Sequence, residues 1–164
     1  MEHVSPTVEE HIAKLEKGLM SGRGRWIADF NESHRNFRLG DVEFDLLIEG
    51  NTRMKGFLLS RLFSFLLNPN YPVSCFVLST KSLQKLDQNF LKKVLALIRS
   101  YMKKKEVKWS WLFIFSSERT RSLKSAVEKI DDQTFGVVLI DVDSKEMFHS
   151  DSYLGKQAKR FVKV

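Results

Sequence analysis

The sequence predicts a three-layer α/β domain in which a central mixed, mostly parallel β-sheet carries helices on both faces. Three apolar runs of strand length begin at residues 73, 109 and 135. Segments of helical periodicity separate these runs, and such alternation is typical of parallel strands joined by right-handed crossovers. A chain of 164 residues is also long enough for one core, so residues 1–164 are read as a single domain.

The N-terminal part predicts a helix followed by a β-hairpin. Ser5 or Thr7 can cap the helix, whose apolar side chains recur at helical spacing: Val8, Ile12, Leu15 and Leu19. Two strands then turn near Gly40-Asp41. Strict alternation in the second strand predicts one face of Val42, Phe44, Leu46 and Ile48, and an opposite face of Glu43, Asp45, Leu47 and Glu49.

The central part predicts two helices and a buried strand. Segment 53–70 is apolar almost all round and is stopped by Asn68-Pro69, which indicates a mostly buried helix. Segment 73–80 is a continuous apolar run, as expected for a strand that is covered on both faces. Segment 86–105 places apolar side chains in one stripe and lysines opposite, the pattern of an amphipathic helix.

The C-terminal part continues the alternation. Residues 108–117 predict a strand, residues 118–130 a shorter helix, and residues 134–150 a strand that turns at Asp143-Ser144 into a short partner. Residues 152–164 predict a frayed helix. Trp109 and Trp111 share one strand face, which suits either a dimer interface or a central strand covered on both sides.

Composition favours a soluble protein with an anionic partner. Lysine and arginine exceed aspartate and glutamate by 27 to 20, giving a formal charge of +7 and a pI near 9.5, which favours DNA or RNA through long-range attraction. The single Cys75 indicates a reducing compartment. No signal peptide and no apolar stretch of about 20 residues is visible, so we expect a cytoplasmic protein without a membrane partner.

Ligands of open parallel sheets gather beyond the carboxyl ends of the strands, so the residues that follow each apolar run are candidates. They are Ser79, Thr80 and Lys81, then Ser116, Ser117, Glu118, Arg119 and Arg121, and finally Asp141 and Asp143. Hydroxyls, free amides and the two arginines would suit a phosphate or nucleic-acid contact. The alternative is that the hydroxyls cap the following helices and the arginines are solvated.

Two further basic segments are candidates for nucleic-acid binding. Arg23 and Arg25 lie in the predicted loop "SGRGRW" next to Trp26, which could stack on a base or pack into the core. Near the C-terminus a helix would align four cations on one face, which are Lys156, Lys159, Arg160 and Lys163. The block "MKKKEVK" adds a second basic surface. Such charge runs are also typical of solvated helix faces.

Motifs with specific chemistry are missing from the sequence. The phosphate-loop pattern, HExxH, GxSxG and CxxC are absent, and "SGRGRW" contains GxG after a helix instead of a strand. The histidines are scattered along the chain at positions 3, 11, 34 and 149, so no metal-histidine cluster is visible.

The element order and the aspartate in "VEFDLLI" resemble the restriction-endonuclease-like PD-(D/E)XK superfamily over roughly residues 8 to 140. The resemblance implies Asp45 as a metal ligand, Lys81 as the lysine that supports attack by water, and Glu9 or Glu16 as a helix acid. Mg²⁺ would be the cofactor of a hydrolytic member. Ser79 stands where the family has an acidic residue, so the resemblance implies a degenerate member that keeps the scaffold without hydrolysis.

Three functions remain open from the sequence. The first is a non-catalytic nucleic-acid-associated binding module of nuclease-like α/β fold, which needs no cofactor. The second is a Mg²⁺-dependent nuclease with a rearranged site, in which Glu43, Asp45 or Asp141 compensates for Ser79. The third is a protein-interaction domain, or a regulatory partner of a protein that handles DNA or RNA. The sequence leaves enzymatic activity undecided, and the only activity it suggests is that of a metal-dependent phosphodiesterase.

Overall fold

The computed structural model describes residues 7–52, 71–80, 86–117 and 121–162. Within these ranges the helices are α1 (Val8–Met20), α2 (Gln88–Lys105), α3 (Arg121–Glu128) and α4 (Tyr153–Ala158). The strands are β1 (Ala28–Leu39), β2 (Val42–Thr52), β3 (Pro72–Ser79), β4 (Trp109–Ser116), β5 (Phe135–Asp141) and β6 (Glu146–His149). The predicted helix over residues 53–70 lies outside the described residues.

The six strands form one open sheet in chain order, from β1 to β6. β3 pairs with β4 and β4 with β5 in parallel, while the other three pairings are antiparallel. The predicted α/β class, mixed sheet, N-terminal helix and hairpin are therefore confirmed. The sheet is mostly antiparallel and not mostly parallel as predicted, since three of its five pairings are antiparallel. Parallel pairing is confined to β3, β4 and β5 at the centre of the sheet.

Helices cover both faces of the sheet, as predicted. α1 and α4 pack on one face with Trp111, Phe113 and Phe115 of β4. α2 and α3 pack on the other face with Leu112 and Ile114. β4 is thus a central strand with two apolar faces, which accounts for its paired tryptophans without a dimer. None of the helices in the described ranges is long and apolar enough to cross a membrane.

Local sequence signals account for the ends of the elements. Thr7 caps α1 in a reciprocal capping box with Glu10, and Asp87 caps α2 by accepting a hydrogen bond from the Phe90 amide at 2.8 Å. Gly40 turns the β1–β2 hairpin with a φ of +63°, a conformation that glycine adopts without strain. The N-terminal cap and the hairpin turn lie where the sequence predicts them.

The predicted alternation along β2 is wrong at its centre. Val42, Phe44 and Leu47 pack on the α2–α3 face, whereas Leu46 and Ile48 pack on the opposite face. The cause lies in the partner strand, where Asn36 has a φ of +52°. The pair of Asn36 and Asp45 is missing from a register that is otherwise continuous from Glu32 to Leu39. The hairpin therefore reverses its faces at Asp45, a change that simple periodicity cannot show.

The predicted four-cation helical face near the C-terminus is also wrong. α4 ends at Ala158, before Lys159 and Arg160, and Lys163 lies outside the described residues. The helix stops because Phe161 turns into the core, where its ring packs against the rings of Trp111, Phe113, Phe30 and Trp26. A tight turn, with the Phe161 amide bonded to the Ala158 carbonyl at 3.0 Å, makes this possible.

Candidate functional site

The sheet has two edges that bear on function. We call the edge where β3, β4 and β5 end the carboxyl edge, and it carries polar side chains from four neighbouring strands: Asp45, Ser79, Ser116 and Asp141. Ser79 pairs with Phe115 and Ser116 with Asp141, so the ends of these parallel strands are level. The prediction that the three strand ends share one edge is confirmed.

Asp45 completes the hydrogen bonding of β3. The antiparallel ladder between β2 and β3 stops at the pair of Leu46 and Val77. Beyond it the Ser79 amide donates to Asp45 Oδ2 at 2.6 Å, and Ser79 Oγ donates to Asp45 Oδ1 at 3.1 Å. Burial raises the pKa of Asp45, although the hydrogen bonds from Ser79 oppose the shift. Both oxygens of this carboxylate therefore have a structural partner.

The residues around Asp45 do not fit the Mg²⁺ site that the family resemblance implies. Ser79 supplies no negative charge, and the two candidate helix acids, Glu9 and Glu16, both bind Arg35. Among the described residues, Asp45 does not belong to any group of three potential metal ligands. Since Mg²⁺ is held by several oxygen ligands with at least one or two carboxylates, a single half-buried carboxylate is a poor site.

Asp141 and His11 are two further buried polar groups at this edge. Asp141 Oδ1 accepts from the amides of Asp143 and Ser144, at 3.0 and 3.1 Å, and so closes the turn after β5. His11 of α1 is 8% exposed and stacks on Phe115 with ring centres 6.2 Å apart. Burial lowers its pKa, and Lys14 and Lys145 add to the effect. His11 occupies a place in the apolar stripe of α1, three residues after Val8 and four before Leu15, and this spacing indicates burial.

The opposite edge, where β3, β4 and β5 begin, is here called the amino edge. It contains an open cavity of about 490 Å³ at the end of α2. The cavity is lined by Tyr71, Pro72, Met102, Lys103, Lys105, Glu106, Val107 and Lys108. The ammonium of Lys108 lies 5.8 Å from the centre of the Tyr71 ring. The basic block of α2 was visible in the sequence, but its proximity to Tyr71 was not.

Two of the predicted arginines also lie at the amino edge, in the loop over residues 21–27. This loop leads into Ala28, which pairs with Thr52 next to the start of β3. Trp26 packs on Phe161 with ring centres 5.4 Å apart, and the Arg160 guanidinium lies 4.4 Å from its ring centre. Arg23 Nη1 donates to the Phe161 carbonyl at 3.3 Å. Trp26 therefore belongs to the core packing, and Arg25 is exposed beside it.

The remaining predicted cations are dispersed or outside the described residues. Lys156 pairs with Asp151 at 2.9 Å, and Lys159 is exposed after the end of α4. Arg121 begins α3, but its side chain is not described. Lys81, Arg119 and Lys163 lie outside the described ranges.

A second cluster of possible metal ligands lies on the β1–β2 hairpin. His34 Nε2 is 3.6 Å from Glu32 Oε2 and 3.5 Å from Glu49 Oε2. The Tyr101 hydroxyl donates to the other oxygen of Glu49 at 2.5 Å. The sequence showed no metal-histidine cluster because the two glutamates flank His34 only after the hairpin has paired.

These observations come from the fold and its side chains alone. Comparison of the chain with family models, with curated proteins and with solved structures finds no match.

Proposed function

We propose that the protein is a non-catalytic nucleic-acid-binding module that contacts a phosphate backbone along the amino edge of its sheet. The observation that carries the proposal is the cavity of about 490 Å³ that is lined by Tyr71 and three lysines, of which Lys108 lies over the Tyr71 ring. A concave surface with cations for phosphates and an aromatic ring for a base suits a single strand of DNA or RNA.

The lysines of the cavity are available for such contacts. Lys103, Lys105 and Lys108 are exposed and form no ion pair with a described residue. Glu106 is the one acid in the lining. The local charge is therefore positive, and the net charge of +7 adds long-range attraction for a polyanion.

Neighbouring residues extend the basic surface. Arg23 and Arg25 lie in the loop before β1, and Arg160 lies over Trp26. Because this loop leads into the start of β1, these guanidinium groups share the amino edge with the cavity. Arginines along the same edge would contact the backbone beyond the cavity and so lengthen the contacted strand.

The carboxyl edge supports the absence of hydrolysis. Both Asp45 oxygens and one Asp141 oxygen accept hydrogen bonds from neighbouring residues. Asp45 next to a neutral Ser79 is the arrangement expected of a PD-(D/E)XK-like scaffold that has lost its second acid. No observation favours the protein-interaction alternative, because the only large exposed apolar side chains in the described ranges are Met20 and Tyr153.

The proposal is tested by the salt dependence of binding to fluorescent single-stranded DNA and RNA, measured by anisotropy from about 50 to about 200 mM salt. The test variant is K105Q/K108Q, and its matched control is K14Q/K92Q. Lys92 lies on the same helix as Lys105 but about 20 Å away, toward the carboxyl edge. Removing two phosphate contacts should reduce the slope of log K against log salt by about 1.4.

The outcomes separate the alternatives. Equal losses in K105Q/K108Q and K14Q/K92Q would show diffuse charge attraction and reject the amino edge as the interface. Salt-independent binding, or none at low salt, would reject nucleic acid as the partner. Cleavage of either substrate with Mg²⁺ or Mn²⁺ that is lost in D45A would replace the binding module by the nuclease alternative.

A further inference from the structure

We propose that Glu32, His34 and Glu49 form a binding site for a divalent transition metal, with Zn²⁺ as the best fit, on the β1–β2 hairpin. The site is separate from the amino edge and does not depend on the proposed nucleic-acid function. It uses one imidazole nitrogen and two carboxylate oxygens, which all lie within 4.8 Å of one another.

The distances suit a tetrahedral ion. Zn²⁺ lies about 2.0–2.2 Å from nitrogen and oxygen ligands, so two ligand atoms of a tetrahedral site are about 3.3–3.5 Å apart. The two glutamate oxygens lie 3.6 and 3.5 Å from His34 Nε2. Small side-chain rotations would therefore bring the three atoms around one ion without a change in the backbone.

The hairpin register creates the cluster. Glu32 pairs directly with Glu49, and His34 follows two residues later on the same face of β1. The register shift between Phe30 and Glu32 sets this alignment. Two carboxylates placed directly opposite each other repel, and a divalent cation would neutralise both, which a single imidazole cannot do.

Tyr101 holds the Glu49 carboxylate in place through a hydrogen bond to one of its oxygens. Its hydroxyl reaches from α2 to Glu49 Oε1 at 2.5 Å, which leaves Glu49 Oε2 for the His34 side. A hydrogen bond to the second oxygen of a ligating carboxylate is the usual support of a metal ligand.

The ligand set selects the class of metal. Imidazole suits zinc, iron, nickel and copper, whereas Mg²⁺ and Ca²⁺ prefer oxygen ligands alone. The absence of a thiolate disfavours Cu⁺. Three protein ligands leave a fourth tetrahedral position for water, and the ligands are exposed enough for an ion to enter, with exposed side-chain fractions of 64%, 48% and 29% for Glu32, His34 and Glu49.

The test is a zinc titration of the full chain at neutral pH, in competition with a chromophoric chelator. We expect one Zn²⁺ per chain, with affinity more than about a hundredfold weaker in H34Q and E49Q, and about tenfold weaker in Y101F. E43Q is the matched control, because Glu43 is exposed on the same strand outside the cluster, and it should bind as the wild type does. Co²⁺ should give a visible absorption band that H34Q abolishes.

Thermal unfolding without metal checks that each variant folds, so a loss of affinity can be assigned to the ligands. Failure of the wild type to bind Zn²⁺ up to about millimolar concentration would overturn the proposal. Binding that persists in H34Q and E49Q would overturn it as well. Because K105Q/K108Q leaves the hairpin intact, zinc affinity in that variant should not change, which separates this test from that of nucleic-acid binding.

Discussion

The two edges of the sheet use polar residues in opposite ways. At the carboxyl edge Asp45 and Asp141 accept hydrogen bonds from backbone amides and so complete a ladder and a turn. At the amino edge Lys105 and Lys108 are exposed around a cavity beside Tyr71. Polar residues at strand ends are therefore not a site by themselves, since they can serve as hydrogen-bond acceptors for neighbouring backbone amides.

Helix direction explains why the cations gather at the amino edge. A helix that crosses between parallel strands runs back along the sheet, so α2 ends where β4 begins. The last turn of a helix carries unsatisfied carbonyls and favours positive charge, and α2 ends in Lys103, Lys104 and Lys105. The same rule places Lys17 in the last turn of α1. The lysines at the amino edge thus stabilise the C-terminal end of α2, and the same exposed charges are available to bind an anion.

The largest effect is expected from F161A, which removes the aromatic anchor behind the amino edge. Phe161 is fully buried against the rings of Trp26, Phe30, Trp111 and Phe113. The internal void left by the missing ring should lower the free energy of unfolding by about 3–5 kcal/mol, as measured by urea denaturation. Y153A is the control, because Tyr153 is 66% exposed and should cost less than about 0.5 kcal/mol. A loss below about 1 kcal/mol in F161A would contradict this packing.

Y71A should weaken binding without comparable damage to the fold. Loss of a stacking ring typically costs about 1–3 kcal/mol per base, so affinity for single-stranded DNA should fall by about 5- to 150-fold. Duplex DNA cannot present an unstacked base and should be affected much less. Y71F keeps the ring and should bind as the wild type does, which is measured in the same anisotropy assay. Equal losses for single and double strands would leave Tyr71 without a stacking role.

At the carboxyl edge, D45A should destabilise the fold and leave binding unchanged. The Ser79 amide would lose its acceptor, at a cost of about 1–3 kcal/mol in the free energy of unfolding. D45N keeps one acceptor oxygen and should cost less. A change in nucleic-acid affinity in D45N would show that the carboxyl edge influences binding, and would contradict the assignment of binding to the amino edge alone.

The pH dependence of the same pair has a definite sign. Because burial raises the pKa of Asp45 above its ordinary value of 3.8, the folded state binds a proton more tightly than the unfolded chain. The stability of the wild type relative to D45N should therefore rise as the pH falls from neutral through the folded pKa, and should level off below 3.8. Urea denaturation at several pH values measures this difference.

The order of elements could largely be predicted from the sequence, because each continuous apolar run indicates a buried strand and each apolar stripe of helical period indicates a helix. The strand over Pro72–Ser79 and the helix over Gln88–Lys105 are examples. The face reversal at Asp45 was not readable, since it depends on the positive φ of Asn36 in the other strand of the hairpin. The early end of α4 was missed because the buried position of Phe161 outweighs the helical spacing of the neighbouring cations.

The candidate sites were readable only in part, because both are made by tertiary contacts. The basic block of α2 is visible in the chain, yet Tyr71 joins it through the start of β3. His34 lies two residues from Glu32 in sequence, but Glu49 reaches it through hairpin pairing and is held by Tyr101 of α2. Spacing rules detect ligands on one element and miss those contributed by pairing.

The smallest effect is expected from E16Q on α1. The Glu16 carboxylate accepts hydrogen bonds from Ser33 Oγ and from the Arg35 guanidinium, with Arg35 Nε at 2.9 Å. Burial raises the pKa of Glu16, but these hydrogen bonds and the charge of Arg35 lower it by a larger amount. The net shift of the pKa is therefore downward. The side chain is 23% exposed, so the pair should contribute no more than about 1 kcal/mol at neutral pH.

E16Q and D45N should therefore respond to acid in opposite directions. A lowered pKa gives stability that is present above the ordinary value of 4.5 and lost as the pH falls through the folded pKa, so the deficit of E16Q should vanish in acid. A double mutant, E16Q/D45N, should be additive to within about 0.5 kcal/mol in urea denaturation, because the two carboxylates have separate partners. A larger coupling would mean that Glu16 and Asp45 share one electrostatic environment. Such coupling would indicate that the carboxyl edge holds the pair of neighbouring acids that a metal-dependent nuclease requires. The polar residues of the carboxyl edge would then have more than a structural role.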